Sequence, residues 1–167
     1  MGLVLALVGF VGLPLLVAVC SGLVTVRNVG GWYLSLNRPP GTPPNWLFGP
    51  VWTVLYVMMG VAAWLVWRRA IQAAEINPAV VGHYTRPLRL WGWQLLLNAA
   101  WTPMFFGLHR LAPALAVILA LLAALVATIA AFARVHRRAA ALMLPYLGWT
   151  CYAAYLNAGF LWLNRGF

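Results

Sequence analysis

The chain has almost no charge of one sign, because Glu75 is its single acidic residue against eleven arginines and no lysine. Charged residues make up 7% of the sequence, whereas soluble domains carry about 25%. Apolar residues reach 65%, so a chain of this composition is not expected to keep its surface in water. The sequence therefore predicts a single-domain, integral, multi-pass membrane protein with the lipid bilayer as its solvent.

Other absences disfavour whole classes of function. No Asp, Glu, Lys, Arg or His lies deep in an apolar run, which disfavours a proton-coupled transporter or an ion channel. No Cys-x-x-Cys-His, Walker, zincin or nucleophile-elbow motif occurs, so the sequence predicts neither a metal site nor a catalytic residue. Cys20 and Cys151 both lie in apolar runs, which indicates small buried hydrophobes rather than a disulfide.

The arginines stand singly or in short clusters between the apolar runs. They form no basic stripe with interleaved aromatics, so nucleic acid is not an expected partner. Arginines at helix ends instead meet lipid phosphates and set the orientation. The expected location is a bacterial cell membrane. For a protein in such a membrane, seven arginines in the second and fourth connections against four on the other side predict a cytoplasmic N-terminus.

Five apolar runs are each long enough to cross about 30 Å of hydrocarbon: 3–26, 45–67, 88–107, 111–133 and 139–163. The predicted fold class is an all-α membrane protein, a bundle of five transmembrane helices. Loop 27–44 is rich in proline, glycine and interfacial aromatics and is expected to fold over the bundle as a lid. Asn45 is expected to cap the second helix, and the polar stretch after Trp67, to about Pro87, is expected to be a loop.

Aromatic and amide residues recur at helical spacing in three of the runs: Gln94, Asn98, Trp101 and Phe105; Trp52, Tyr56 and Met59; Trp149, Ala153 and Asn157. One interpretation is that the amides only join helices while the tryptophans pack. The other is a pocket with flat aromatic walls, suited to a planar, mostly apolar ligand. A stripe of Ala116, Ala120 and Ala124 allows close helix contact, within the bundle or in a dimer.

Several short motifs follow one another in a specific order: Pro43-Pro44-Asn45-Trp46-Leu47-Phe48, Pro50-Val51-Trp52-Thr53-Val54-Leu55-Tyr56, Leu97-Asn98, Trp101-Thr102-Pro103, and Pro145-Tyr146-Leu147 with Trp149. The chain thereby resembles, over nearly its whole length, the translocator protein family, also called the tryptophan-rich sensory protein (TspO) family. The resemblance implies a homodimer of five-helix bundles with a pocket open toward loop 27–44. It also implies porphyrins such as protoporphyrin IX, or similar planar hydrophobic molecules, as ligands, with no obligatory cofactor.

By motif position, the resemblance implies a particular set of ligand-binding residues: Trp52, Tyr56, Asn98, Trp101, Phe105, Trp149 and Ala153. Trp32 and Trp46 are implied in the lid and its hinge. Arg27 and Arg38 in the same loop are the candidates for pairing with porphyrin carboxylates. The expected function is binding and sensing of tetrapyrroles, which would regulate or facilitate their transport. The alternative is an enzyme that degrades bound porphyrin photo-oxidatively; the sequence favours a binding protein.

Overall fold

The computed structural model describes residues 2–165, apart from the side chain of Val80, and this part of the chain is helical with no β-strand. Six α-helices follow one another: α1 (Gly2–Val29), α2 (Trp32–Ser35), α3 (Phe48–Ile76), α4 (Gly82–Thr102), α5 (Leu111–Val135) and α6 (Arg137–Leu163). Two 3₁₀ turns, Asn45–Leu47 and Pro78–Val81, and a π-helical turn, Pro103–Gly107, complete the described structure.

Three of these helical segments are long and apolar enough to cross a membrane: Gly2–Val29, Asn45–Ile76 and Leu111–Val135. The protein is thus an all-α membrane protein. Helices α4 and α6 are 21 and 27 residues long, but their amides, arginines and amphipathic tryptophans and tyrosines lower their hydropathy. The count of five spanning helices remains a prediction.

Helix α3 continues to Ile76 instead of ending near Trp67, so Glu75 is helical rather than in a loop. The arginine pair after Trp67 marks the end of the apolar run but does not stop a helix, because arginine, alanine, glutamine and glutamate all favour helix. The connection to α4 is therefore short, and α4 begins at Gly82 rather than at Leu88. Pro87 lies inside that helix, as its sixth residue, and leaves the His83 carbonyl without the N–H that another residue at this position would donate.

The predicted helix 88–107 changes its winding at Pro103, which has no N–H to donate. Residues Pro103–Gly107 form a π-helical turn, closed by the Leu108 N–H donating to the Pro103 carbonyl at 2.8 Å. Turns of this kind are frequent at functional sites. This one places Phe105 and Phe106 in the buried interior.

Helix α1 approaches α3 closely at Gly60. A β-carbon at this position would lie 2.6 Å from the Phe10 carbonyl oxygen and 2.6 Å from the Val11 Cα. No other residue type has a side chain small enough for that backbone approach. The glycine thus sets the distance between the first two long helices, and with it the width of the space between them.

One expectation about surface residues is wrong, and another is narrowed to one of its two alternatives. Cys20 and Cys151 are free and exposed on the outside of the bundle rather than buried, because each lies on the lipid side of its helix. The alanine stripe of α5 faces outward, with Ala116 and Ala120 exposed, so these two residues do not make a close helix contact within the bundle; contact in a dimer stays a prediction. The buried face of α5 is formed by larger residues such as Ile118 and Leu125.

Candidate functional site

A cavity of about 440 Å³ lies between α1 and α3, next to the end of α4. Its aromatic walls come from α3, α4 and the π-helical turn: Phe48, Trp52, Tyr56, Trp101 and Phe106. The facing wall is α1, which contributes small and branched side chains such as Ala18 and Val26. Flat rings on one side and a smooth aliphatic wall on the other form a slot with mainly apolar surfaces.

Polar groups are few and lie at defined points of the cavity lining: Ser21, Thr25, Asn45, Thr53 and Thr102. The Thr25 hydroxyl donates to the Ser21 carbonyl at 3.0 Å, so its hydrogen is used within α1. Asn45 does not cap the following helix as expected; it opens a 3₁₀ turn and makes no side-chain cap bond. Within residues 2–165 its buried Oδ1 has no hydrogen-bond partner.

Asn98 lies behind the cavity and joins three helices. The Tyr56 hydroxyl donates to Asn98 Oδ1, and Asn98 Nδ2 donates to the Tyr146 hydroxyl at 2.8 Å. Both ends of the amide are thereby paired, as a buried polar group requires. Asn98 thus orients Tyr56, which lines the cavity, and does not itself appear in the cavity wall.

The structure brings the other predicted ligand residues together without placing all of them in the wall. Trp52 and Trp101 line the cavity with ring centroids 6.5 Å apart. Phe105 packs behind Trp101 at 5.4 Å, and Trp149 meets the lining residue Phe48 at 6.4 Å. Ala153 is buried in the cluster that contains Trp101 and Phe105. These residues form a layer that supports the aromatic wall.

The predicted lid corresponds to segment 30–44, since α1 continues to Val29 and α2 occupies part of the loop. Trp32 is half-buried, with its ring centroid 5.9 Å from that of Phe105 in an edge-to-face arrangement and 4.2 Å from that of His109, on which it stacks. Trp46 is 71% exposed. Arg27, in the last turn of α1, and Arg38 are both exposed.

Segment 30–44 is tied to α6 along its length. Asn164 Oδ1 accepts from the Asn37 N–H at 2.9 Å and its Nδ2 donates to the Asn37 carbonyl at 3.0 Å. The hydroxyls of Tyr155 and Tyr152 donate to the carbonyls of Pro40 and Gly41. The fully buried Tyr33 ring packs against the cavity residues Phe48 and Phe106, which couples the segment to the cavity.

The α1 wall was missed by reasoning from the sequence. Its lining side chains include Leu15, Ser21 and Thr25, and most residues of α1 differ little from those of an ordinary lipid-facing helix. The one available signal was the spacing of Ser21 and Thr25, four residues apart and thus on one helical face. Phe48 and Phe106 were visible as motif residues, but no pattern assigned them to the wall.

Comparisons with known proteins agree with the resemblance. The TspO/MBR family pattern matches residues 10–163. The tryptophan-rich protein TspO of Chlorobaculum tepidum is 38% identical, over 96% of this chain and 97% of its own length. The translocator protein of Homo sapiens is 41% identical over 75% of this chain and 70% of its own. The tryptophan-rich sensory protein of Cereibacter sphaeroides is 36% identical over 80% and 77%. The chain belongs to the TspO/MBR family of membrane proteins.

Proposed function

We propose that this protein binds a tetrapyrrole such as protoporphyrin IX, or a similar planar hydrophobic molecule, and acts as a sensor or carrier for it. The observation that carries the proposal is the cavity between α1 and α3, with aromatic rings on one side only. Its volume of about 440 Å³ falls in the range of about 300–1,000 Å³ typical of small-molecule sites. The names of the relatives, translocator and sensory protein, support the general role.

The shape of the aromatic wall favours a flat ligand. Trp52 and Trp101 are inclined by only 35° to each other, and Trp52 and Tyr56 by 33°. Aromatic rings prefer offset-stacked or edge-to-face contacts, which a large conjugated ring can make with several of them at once. A compact globular ligand would contact fewer of these rings.

The unpaired Asn45 oxygen supports a ligand that carries N–H groups. A buried acceptor without a partner costs about 1–3 kcal/mol, and this oxygen belongs to a residue that lines the cavity. The oxygen itself has no accessible surface, so a pyrrole or amide N–H would remove that cost once the Asn45 side chain turns toward the cavity. The charged edge of a porphyrin would then face the exposed Arg27 and Arg38, which supply the cations that its carboxylates need.

The test is a protoporphyrin titration of the purified protein, followed by quenching of tryptophan fluorescence. Trp52→Ala removes a cavity wall, and we expect at least about a tenfold loss of affinity, equivalent to about 1.4 kcal/mol. Trp93→Ala is the matched control, because Trp93 is 61% exposed on α4 and does not line the cavity. Equal affinities in both variants would show that the cavity is not the porphyrin site.

The same complex separates binding from the alternative, photo-oxidative degradation. Illumination of bound porphyrin in air should leave its absorption spectrum unchanged if the protein only binds it. A new absorbing product that forms with the parent and not with Trp52→Ala would instead support the enzyme.

We propose further that all five long helices span the membrane, with the N-terminus in the cytoplasm. Five spans place the two termini on opposite sides and so do three, whereas four place them on the same side. Reporter fusions at each end and at the turn between α5 and α6, one active only in the cytoplasm and one only outside it, test this. With an N-terminus in the cytoplasm, five spans place that turn in the cytoplasm, whereas spanning by α1, α3 and α5 alone places it outside. Termini on the same side, or the α5–α6 turn outside, would contradict the five-span arrangement.

A homodimer is proposed on the basis of the family resemblance. The outward-facing Ala116 and Ala120 on α5 leave a flat surface on which two helices can approach closely. Cysteine cross-linking at Ala120 in native membranes tests it, in a variant whose exposed Cys20 and Cys151 are replaced by serine, with a cysteine at the exposed Leu96 of α4 in the same background as the matched control. Cross-linking at both positions or at neither would count against a dimer through α5.

A further inference from the structure

A second cavity, of about 380 Å³, lies at the other end of α3, where that helix meets the turn between α5 and α6. Four arginines line it, Arg68 and Arg69 from α3 and Arg137 and Arg138 from α6. Gln72 and His136 add further polar groups. The cavity combines cations from two helices that are distant in sequence, so only the tertiary structure creates it.

No acidic side chain lines this cavity to balance its positive charge. Glu75 is the single carboxylate side chain of the protein, and it is not among the residues that line this cavity. Arg137 and Arg138 also stand in the first turn of α6, where the helix dipole is already positive and a cation is unfavourable. An anion between the two helix ends would relieve both sources of repulsion.

The cavity is rigid at its base. Leu65 and Val135 form apolar lining, and both pack against a cluster that includes the fully buried Val66 and Ala139. His136 fixes the start of α6, because its Nδ1 accepts from the Ala139 N–H at 3.2 Å. Arg68 is held by its contact with the Trp64 ring, 5.4 Å from the centroid. The arginines are thus attached to helix segments that are held in place by packing.

The level of the cavity in the membrane indicates which anions could reach it. Arg68 and Arg69 directly follow the apolar run of α3, so they lie at the level of lipid headgroups. Basic pockets between helices at this level bind anionic headgroups. A volume of about 380 Å³ is also much larger than the roughly 30 Å³ that one water takes up in the liquid.

We propose that this cavity, here called the basic pocket, is a binding site for a phosphate-bearing anion, an anionic phospholipid headgroup or a soluble phosphate. It is separate from the aromatic cavity and does not depend on the ligand proposed there. The guanidinium groups bind the phosphate oxygens by charge-assisted hydrogen bonds. Bound lipid would link the ends of α3 and α6.

The experiment counts bound molecules on the purified protein by native mass spectrometry. Phosphatidylglycerol, phosphatidylcholine and inorganic pyrophosphate are titrated separately. Arg69→Gln/Arg137→Gln removes one cation from each helix and should lower the preference for phosphatidylglycerol over phosphatidylcholine by about tenfold or more. Arg86→Gln/Arg89→Gln is the control, because it removes the same charge from exposed positions on α4 that do not line the basic pocket.

A second variant changes the signal in the opposite direction. Gln72→Arg adds a cation to the lining and should strengthen anion binding several-fold. Loss of the phosphatidylglycerol preference in the pocket variant alone supports a lipid source. Pyrophosphate binding with the same variant dependence, without a lipid preference, supports a soluble source. Equal losses in the pocket and control variants, or no change in any of the three, would overturn the proposal.

Discussion

Helix α3 lines both cavities, and its two ends differ in the polarity and charge of the side chains that they supply. Its first turns supply Phe48, Trp52 and Tyr56 to a cavity lined by rings and aliphatic groups. Its last turns supply Arg68 and Arg69 to a cavity lined by cations. Segment 30–44 packs beside the aromatic end, whereas a short 3₁₀ turn at Pro78–Val81 leads away from the basic end.

The difference shows how one helix can form part of two unlike cavities. A ligand of the aromatic cavity would be selected by its shape, because apolar contacts are not directional. A ligand of the basic pocket would be selected by its charge, since electrostatic attraction acts over several ångströms and is weakened by salt. Substitutions at one end should therefore leave the other intact, and the following changes test this independence.

Gly60→Ala should have the largest effect. The new β-carbon would lie 2.6 Å from backbone atoms of α1, and backbone cannot give way as a flexible side chain can. We expect a loss of about 1–3 kcal/mol in the free energy of unfolding, together with loss of porphyrin binding as α1 moves away. Denaturant unfolding in detergent and the fluorescence titration measure these two effects.

The matched control is Gly148→Ala, since a β-carbon there meets nothing within 4 Å. Replacing this mid-helix glycine should be neutral or should stabilise by about 0.5–1 kcal/mol. The lipid preference of the basic pocket should survive Gly60→Ala. Parent-like stability and porphyrin affinity in that variant would contradict the role assigned to this contact.

Asn98→Leu should come next in size. It leaves the hydroxyls of Tyr56 and Tyr146 without their amide partner, at a cost of about 1–3 kcal/mol for a buried unsatisfied group. A double-mutant cycle with Tyr56→Phe measures the coupling, and the two losses should be less than additive. Additive losses would mean that the amide and the phenol act independently.

Asn164→Ala should have a smaller and more local effect. It removes two hydrogen bonds to Asn37, worth about 0.5–1.5 kcal/mol each. Hydrogen exchange within segment 30–44 should accelerate, and bound porphyrin should dissociate several-fold faster. Asn77→Ala is the control, because it removes the bond from the Ala79 N–H at the basic end. Identical exchange in segment 30–44 for parent and Asn164→Ala would contradict the tie to α6.

Alkaline pH should give the smallest effect, through Tyr33 in segment 30–44. Burial raises the pKa of Tyr33 from 10.0 to about 12, although the nearby Arg38 opposes the shift. The folded state favours the neutral phenol, so this contribution to stability is full below pH 10 and is lost as the pH rises toward 12. Unfolding measured across this range in parent and Tyr33→Phe should differ in slope. Equal slopes would show that Tyr33 does not contribute to the pH dependence of stability.

The sequence is most informative where a residue type is compatible with only one environment. The near absence of charge indicated the membrane, and the order of tryptophan and amide motifs indicated the family. The motifs also predict Trp52, Tyr56 and Trp101 as ligand-binding residues, and all three line the aromatic cavity. The prediction for the end of α3 is wrong, because a charged pair that ends an apolar run does not by itself end the helix.

The sequence by itself determined the solvent of this protein, its family and the residues with aromatic or amide chemistry, because composition and local motifs are readable along the chain. The tertiary structure decided which of those residues face a cavity. Asn98 and Phe105 lie behind the wall, and the largely aliphatic α1 forms the wall itself, because Gly60 sets how closely two helices approach. It also joined arginines of α3 and α6 into one pocket, since only the packing of distant segments sets such distances.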